Sequence, residues 1–426
     1  MLDSEAVEAP GAKAPQGGEN MKKMIAVLAL AVLAAAPASA EGKRYLVGFR
    51  EGTTPAQMSA ALKSLGAAEV DEISEIGAVL AEVSGGASSF QAFEDQIAVL
   101  PSVLEVQEDI YRNWLLETPA FQTTPFPNTA EIFAALPKFP KAAPRPKFPL
   151  PPGVAASEVP WGIARVNAPG AWDVTMGEGV KVAIIDTGID CSHPDLKANC
   201  AGGYNAIDPK APPMDDNRHG THVAGTIAGV LDGKGVVGVA PKARLYAVKV
   251  LDKDGGGGLT SIIKGLVWAG KNGMDVANMS LGSPMGTIFM RAAVKYAQSK
   301  GVVVLAAAGN DGGSVNYPAA YPETIAVSAL APDESIATFS SRGKKVEFIA
   351  PGVDVKSSVP GGGYANFAGT SMATPHMTGL AALAVSRGAH GLTQVRAALK
   401  RAAKPVAGLS SAEQGSGVVN AALLAH

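Results

Sequence analysis

The stretch VKVAIID, residues 180–186, is apolar on both faces apart from Lys181, and it ends in Asp186. A strand buried on both faces belongs to a parallel sheet that helices cover on each side. Four more segments repeat the pattern: RLYAVKV (244–250), DVANMSL (275–281), VVVLAAAGN (302–310) and TIAVSAL (324–330). Helical patterns lie between and after them, at 219–231, 259–270, 288–300 and 371–386. Residues 154–426 therefore predict an α/β domain with a doubly wound parallel sheet.

The composition fits this class of fold. The 426 residues are 47% hydrophobic and 17% charged and include 49 glycines, as in a globular α/β protein with tight turns. The formal net charge is −2, and Lys and Arg do not form runs. We therefore expect no nucleic-acid partner. A monomeric protein is also expected, although the net charge itself does not bear on this.

Residues 21–40, MKKMIAVLALAVLAAAPASA, have the pattern of a secretory signal peptide. Two lysines precede an apolar core of about a dozen residues, and Ala-Ser-Ala marks a cleavage site after Ala40. A membrane anchor is the alternative, but it needs about 20 apolar residues. We expect a secreted or periplasmic protein that is not held in the membrane once the signal is removed. We also expect translation to begin at Met21, with residues 1–20 a mis-assigned upstream start.

Residues 43–114 predict a small unit of their own, and residues 115–153 predict a linker. The unit has strand patterns at 45–49, 68–74, 78–83 and 103–109 and helical patterns at 54–66 and 88–100. This βαββαβ order is the ferredoxin-like arrangement. The unit contains no histidine or cysteine, so no catalytic constellation is visible in it. The segment 115–153 holds ten of the 30 prolines, which favours an extended linker over a peptide-ligand motif.

Polar side chains stand where the predicted strands end or the predicted helices begin. Asp186 ends VKVAIID, His219 opens the helix of NRHGTHVAGTIAG, and Ser371 opens the helix of GTSMATPH. Function collects at the carboxyl ends of parallel strands. A serine hydroxyl needs a base to become a nucleophile, and a carboxylate can hold that histidine in the correct tautomer. Asn310, which ends VVVLAAAGN, and the backbone N–H of Ser371 could stabilise an oxyanion.

Each of these residues has another interpretation when it is taken alone. Asp186 opens an Asp-Thr-Gly triplet of the aspartic-protease type, but no second such triplet occurs. His219 and His222 have metal-pair spacing without a third ligand nearby, and Ser371 could be a helix cap. A non-enzymatic binding protein would need a broken triad or a blocked cleft, and neither is visible in the sequence. An esterase on another α/β fold predicts Gly-x-Ser-x-Gly, whereas the chain has Gly-Thr-Ser-Met-Ala.

The motifs AIIDTGID, HGTHVAGTIAG, NMSLGS, AAAGN and GTSMATPHMTG occur in this order and resemble those of the subtilisin-like serine proteases, the subtilases. The resemblance covers nearly all of residues 157–426, and residues 43–114 look like the family's propeptide. It implies a subtilisin-like fold and a serine endopeptidase that forms an acyl-enzyme.

The same resemblance assigns roles to four residues. Asp186 would orient His219, which would act as general base and acid. Ser371 would attack the substrate, and Asn310 would line the oxyanion hole.

A self-processing precursor is also implied. The propeptide would act as intramolecular chaperone and inhibitor, with a self-cleavage site somewhere in residues 110–157. Residues 43–114 carry five Lys or Arg against eleven Asp or Glu, about −6, and residues 154–426 carry 24 against 20, about +4. Opposite charges favour docking of the two units.

Substrate is expected to bind as an added strand between two backbone segments. The resemblance places Ser280, Leu281 and Gly282 on one side. It places part of the Gly255–Gly258 run on the other, namely Gly256, Gly257 and Gly258; a flexible turn is the alternative for these glycines.

Asn316 stands where many subtilases carry glycine, at the floor of the pocket for the residue before the cut. A smaller pocket follows, with a preference for small or medium apolar residues over Phe and Tyr. Asp311 would lie at its rim, and Tyr317–Pro318 is the candidate cis peptide bond.

Calcium is the cofactor that the resemblance implies. Asp195 and Asp232 match positions that bind structural calcium. The carbonyl oxygens of Val230, Lys234 and Val236 would complete the shell of ligands. Ser157 stands where an amide side chain commonly contributes, and a solvated turn is the alternative for the aspartates.

The only two cysteines, Cys191 and Cys200, lie nine positions apart. An oxidising compartment favours a disulfide between them, with two buried thiols as the alternative.

Overall fold

The computed structural model describes residues 42–115 and 150–425. The predicted signal peptide and residues 116–149 of the predicted linker lie outside the described residues. Within the two described ranges, no helix is both long and apolar enough to cross a membrane.

The N-terminal unit has the predicted element order and a core of its own. Its elements are β1 Lys43–Phe49, α1 Pro55–Ser64, β2 Ala67–Ile73, β3 Ala78–Val83, α2 Ala87–Ala98, β4 Val103–Glu108 and β5 Tyr111–Asn113. The first four strands form an antiparallel sheet in the order β2-β3-β1-β4, as in a ferredoxin-like fold. Thr54 caps α1, since its side chain accepts from the backbone N–H of Gln57. β5 pairs outside this sheet.

A seven-stranded parallel sheet forms the centre of the C-terminal domain. The strands of this domain up to residue 367 are β6 Lys181–Asp186, β7 Cys200–Asn205, β8 Arg244–Lys249, β9 Gly256–Gly258, β10 Val276–Met279, β11 Val303–Ala307, β12 Thr324–Leu330, β13 Phe348–Pro351, β14 Val355–Val359 and β15 Gly363–Phe367. The large sheet has the order β13-β12-β11-β10-β6-β8-β7. All of its neighbouring strands are parallel, as the apolar runs predict.

Helices cover both faces of this sheet. The longer ones are α3 Trp161–Arg165, α4 His219–Ala228, α5 Leu259–Lys271, α6 Ile288–Ser299, α7 Thr370–Ser386 and α8 Gly391–Ala402. Successive residues of β6 alternate between two cores: Val182 and Ile184 pack in the core that contains α4 and α7. Ala183 and Ile185 pack in the core that contains α5 and α6. The strand is therefore apolar from Val182 to Ile185 because each face meets helices.

Two strands of the large sheet were not predicted, and one predicted helix is too long. β7 contains Gly202 and Gly203 and lies at the sheet edge, so it lacks an apolar run. Close packing requires glycine at position 203, because a Cβ on Gly203 would lie 2.0 Å from the carbonyl oxygen of Ala247. β13 is a four-residue strand that ends in a proline. The helix predicted over 219–231 ends at Ala228.

Cys191 and Cys200 are joined by a disulfide bond, one of the two states that the sequence allows. The Tyr317–Pro318 peptide bond is cis, as predicted.

Candidate active site

Asp186 and His219 meet at the carboxyl end of β6. The Asp186 side chain is fully buried, and its two carboxylate oxygens lie 2.8 and 3.0 Å from Nδ1 of His219. The backbone N–H of Thr187 donates to Asp186 Oδ1 at 2.7 Å. A carboxylate accepts hydrogen bonds only, so Nδ1 carries the proton and Nε2 faces away from Asp186.

Asp215, which the sequence patterns did not single out, fixes the start of the helix that carries His219. One of its oxygens accepts from the backbone N–H groups of Asn217 and Arg218. The other accepts from the N–H and hydroxyl of Thr221. Arg218 has a φ of 116°, an unfavourable backbone conformation that these bonds help to hold. The only sequence feature that could have pointed to Asp215 is the short polar run DDNRH (215–219), which resembles an ordinary turn.

His222 does not form a metal pair with His219. Its Nε2 lies 2.9 Å from the carbonyl oxygen of Val355, and its ring stacks on Phe367 with the centroids 4.3 Å apart. Burial, together with the nearby charge of His219, lowers the pKa of His222 to about 3. Burial also lowers the pKa of His376, in α7, to about 4.

Acid should therefore destabilise the protein. A histidine in the unfolded chain titrates near pH 6.5, above both folded pKa values, so the unfolded state binds more protons as the pH falls. Above about pH 6.5 the free energy of unfolding is at its full value. As the pH falls below 6.5, it should drop by about 1.4 kcal/mol per pH unit for each histidine, until the pKa of that histidine in the folded protein is reached. Denaturant unfolding of an uncut Ser371→Ala chain at pH 7 and pH 5 measures this slope.

A matched pair of variants isolates the contribution of one histidine. His376→Asn keeps a donor for the carbonyl oxygen of Met372, which His376 Nδ1 contacts at 2.9 Å, and it should show a smaller slope. His390→Asn changes an exposed side chain and should leave the slope unchanged. Equal slopes in both variants would contradict the prediction.

Ser371 is the second residue of α7 and is tied to Ser280 at the end of β10. Its hydroxyl donates to the carbonyl oxygen of Ser280 at 3.1 Å, and the Ser280 hydroxyl donates to the carbonyl oxygen of Ser371 at 2.8 Å. Pro375 explains the second bond. It has no N–H for the carbonyl four residues earlier in the helix, so the hydroxyl of Ser280 takes that place.

Asn310 follows β11 and lies beside Ser371. Its Oδ1 accepts from the backbone N–H and the hydroxyl of Thr370, both at 2.9 Å. A Cβ built on Gly369 would lie 3.3 Å from Asn310 Nδ2 and 3.6 Å from the backbone nitrogen of Ser371. Two N–H donors thus flank one small volume, which the absence of a side chain at Gly369 leaves open.

The two predicted substrate-binding segments both contact the N-terminal unit. Gly256, Gly257 and Gly258 form β9, which pairs antiparallel with Asn113, Arg112 and Tyr111 of β5, respectively. A Cβ on Gly256 would lie 2.3 Å from the hydroxyl oxygen of Tyr111, so a side chain at this position would displace the Tyr111 ring.

Trp114 lies between the two predicted substrate-binding segments and hydrogen-bonds to both. Its N–H donates to Gly255 O at 3.0 Å, and its carbonyl accepts from the N–H of Gly282 at 2.9 Å. Its indole N–H donates to Gly257 O at 2.7 Å, and its side chain is buried with Leu281 in one apolar cluster.

Asn316 is buried against the residue that precedes Asn310. A Cβ on Gly309 would lie 2.7 Å from Asn316 Nδ2, and the Asn316 N–H donates to Ala308 O at 2.8 Å. Asp311 is exposed and accepts from the hydroxyl of Ser341 at 2.6 Å.

The residues predicted to bind calcium lie on one loop and the aspartate beneath it. Asp195 is buried, and its Oδ2 accepts from the N–H of Val236 at 2.8 Å. Asp232 and Lys234 are exposed in the loop. Among residues 42–115 and 150–425, no three His, Cys, Asp or Glu side chains converge as a metal-binding group.

The donor chemistry of this loop nevertheless fits a calcium ion. A Cβ on Gly235 would lie 2.2 Å from Asp195 Oδ2, so only glycine lets the loop close over the carboxylate. In the part of the chain that the structure describes, the carbonyl oxygens of Val230, Lys234 and Val236 accept no backbone hydrogen bond outside regular elements. Calcium takes such carbonyl and carboxylate oxygens. Ser157 is exposed, and its neighbour Glu158 is the residue that reaches the loop.

Comparison with known proteins agrees with the fold. The subtilase family model matches residues 177–417. Subtilisin Savinase of Lederbergia lenta is 49% identical over 269 residues, which cover 62% of this chain and 98% of that protein. Subtilisin E of Bacillus subtilis (strain 168) is 51% identical over 239 residues, which cover 54% of this chain and 62% of that protein.

These matches, on a parallel α/β fold, define the class of the protein as a serine endopeptidase. The chain belongs to the subtilase family.

Proposed function

We propose that the protein is an exported, self-processing endopeptidase in which Asp186, His219 and Ser371 form the catalytic triad. The observation that carries this proposal is the 2.8 Å contact between Asp186 and His219 Nδ1. The two N–H donors that flank the small volume at Gly369, beside Ser371, support it. His219 Nε2 takes the proton of the Ser371 hydroxyl, which turns from the carbonyl of Ser280 to attack the substrate carbonyl carbon.

The charge that develops on the substrate oxygen is held by Asn310 Nδ2 and the N–H of Ser371. His219 then gives its proton to the leaving amine as the peptide bond breaks, and an acyl-enzyme remains on Ser371 Oγ. Water, deprotonated by His219, attacks the acyl carbon and releases the acid product. Asp186 keeps the proton on Nδ1 throughout and stabilises the imidazolium.

Covalent labelling tests the assignment of the nucleophile. Purified protein that hydrolyses casein is treated with a fluorophosphonate, and the label is mapped by peptide mass. The label should lie on Ser371 and be absent from a His219→Ala variant. A label on another serine, or unchanged labelling without the histidine, would refute the triad.

The pocket for the residue before the cut is proposed to be small because of Asn316. Its amide packs against Gly309, directly before Asn310, where substrate side chains would enter. Asn316→Gly should raise kcat/KM for a peptide with Phe at that position by about tenfold, since a few buried methylene-sized groups are worth about 1–3 kcal/mol. The Ala peptide should change little. If the parent protein already cleaves after Phe as well as after Ala, the pocket assignment is wrong.

The N-terminal unit is proposed to be an inhibitory propeptide. It occupies both sides of the cleft through β5 and Trp114, and Leu46 and Leu80 share an apolar core with α5 and α6. Asp109 Oδ1 accepts from the N–H of Thr260 at 2.8 Å in the first turn of α5, which has no side-chain cap of its own. Such contacts suit a partner that helps the protease domain to fold.

Maturation is tested by the products of the full chain. The active protein should cut itself within residues 110–157, and the Ser371→Ala chain should stay intact apart from removal of its signal. N-terminal sequencing of both products identifies the cut. Cleavage of the inactive variant at the same bond would assign processing to another protease.

Export is proposed from the signal pattern of residues 21–40 and agrees with the Cys191–Cys200 disulfide. Location in the medium or the periplasm would show as a product that begins after Ala40 or later. Polypeptides are the proposed substrates, with no nucleic-acid partner.

Calcium is proposed to bind Asp195, Asp232 and the carbonyl oxygens of Val230, Lys234 and Val236, where it would stiffen the loop. Chelation should lower the melting temperature of the Ser371→Ala chain by about 5–10 °C, if calcium at 100 times its Kd contributes about 2.7 kcal/mol. Restoring calcium, but not magnesium, should reverse the change. An unchanged melting temperature would refute calcium binding.

A further inference from the structure

Glu158 is a buried carboxylate that the catalytic mechanism does not use. Its side chain is 1% exposed and comes from a short 3₁₀ turn at Ala156–Glu158, close to the start of the protease domain. Oε2 accepts from the N–H of Gly233 at 2.8 Å, and Oε1 accepts from the N–H of Ala155 at 3.3 Å. Burying a carboxylate is costly unless it is hydrogen-bonded, so this placement is specific.

A second bond from the same residue reaches the other end of the loop. The backbone carbonyl of Glu158 accepts from the N–H of Val237 at 2.9 Å. Glu158 thus grips the Val230–Val237 loop at two points four residues apart. Asp195 also holds the loop, because its Oδ2 accepts from the N–H of Val236 at 2.8 Å. Its Oδ1 accepts from the hydroxyl of Tyr364 at 3.1 Å.

These contacts coexist with an occupied cleft in one uncut chain. Trp114 bridges Gly255 and Gly282 while Glu158 is bonded to the loop. Residues 116–149 connect the two places, and 34 residues can span on the order of 110 Å when extended. The start of the protease domain does not have to be released from the cleft before it reaches the loop.

We infer that Glu158 is a clamp that closes the Val230–Val237 loop before the chain is cut, through protein contacts that do not require a metal ion. The assignment of calcium to the loop and of cleavage to Ser371 rests on the proposed function.

The test uses the full-length Ser371→Ala chain, which stays uncut, in EGTA. Hydrogen exchange is followed in the peptide that contains residues 230–237, in Glu158→Ala, in Glu158→Gln and in Glu51→Ala, a control at an exposed glutamate. Glu158→Ala should exchange at least tenfold faster in this loop and melt about 3–6 °C lower than the control. Glu158→Gln keeps an acceptor for Gly233 and should retain most of the protection, which guards against a variant that fails to fold.

Two results would overturn the clamp. One is equal loop exchange in Glu158→Ala and Glu51→Ala in EGTA. The other is a loop that is protected only in the self-processed, inhibitor-blocked wild-type protein and not in the uncut chain. Calcium titration of the same proteins is a separate arm. If calcium stabilises none of them, the calcium assignment fails, and the EGTA data alone still decide whether Glu158 closes the loop.

Discussion

Replacing Ser371 with alanine should abolish nearly all peptide hydrolysis, with a fall in kcat on the order of 10⁶. That figure is the known loss for subtilisin, a member of this family, and does not come from the present geometry. The geometry gives the reason, because the variant loses only the hydroxyl that bonds to Ser280 O and leaves Asp186, His219 and the oxyanion donors in place. Initial rates on a chromogenic peptide measure the effect.

The N-terminal unit complicates this measurement, since the variant should remain uncut and blocked. A trace of wild-type protein can remove the N-terminal unit from the variant first. The rate of peptide hydrolysis by that trace alone is then subtracted from the rate of the mixture. Ser299→Ala, a change at the exposed end of α6, is the control and should keep full activity. Activity within 100-fold of wild type in unblocked Ser371→Ala would exclude Ser371 as the nucleophile.

Asn310→Ala should lower kcat by about 10²–10³ and change KM little, because its side-chain N–H meets the substrate oxygen only once charge develops there. This range is also the known value for the equivalent loss in subtilisin. Asn310 Oδ1 has a second role, as the acceptor for the N–H and hydroxyl of Thr370, so some stability should be lost too. Asn272→Ala, at an exposed helix end, is the matched control.

Gly369→Ala tests the oxyanion volume from its other side, with added backbone strain because Gly369 has a φ of 159°. It retains both N–H donors but places a methyl group 3.3 Å from Asn310 Nδ2, where the substrate oxygen would sit. We expect at least a similar loss in kcat, because the methyl group and the strained backbone both disturb this volume. Full activity in this variant would place the oxyanion elsewhere.

Much of the fold could be predicted because its determinants are local in sequence. The apolar runs at β6, β8, β10, β11 and β12 indicate strands that are buried on both faces. Thr54 followed by Gln57 indicates where α1 begins. β7 could not be predicted, since its glycines are set by the approach to Ala247 on the next strand. β13 is too short to show a period.

The site divides in the same way. Asp186 ends a strand, Asn310 follows one closely, and His219 and Ser371 open helices, so the pattern that predicts the sheet also points to them. Glu158 accepts a hydrogen bond from Gly233, which is distant in sequence. Asp215 accepts one from Asn217 within a short polar run that resembles an ordinary turn. No local sequence pattern therefore marks either residue. The cut site in residues 110–157 stays a prediction.

The helix that carries Ser371 is the most enclosed in the C-terminal domain, with every residue from Thr370 to Val385 buried. A segment packed on all sides opens only when the surrounding core opens. Heating should therefore not inactivate this protease in a separate step before it unfolds. Its loss of turnover and its loss of tertiary structure, measured against temperature, should follow a single curve.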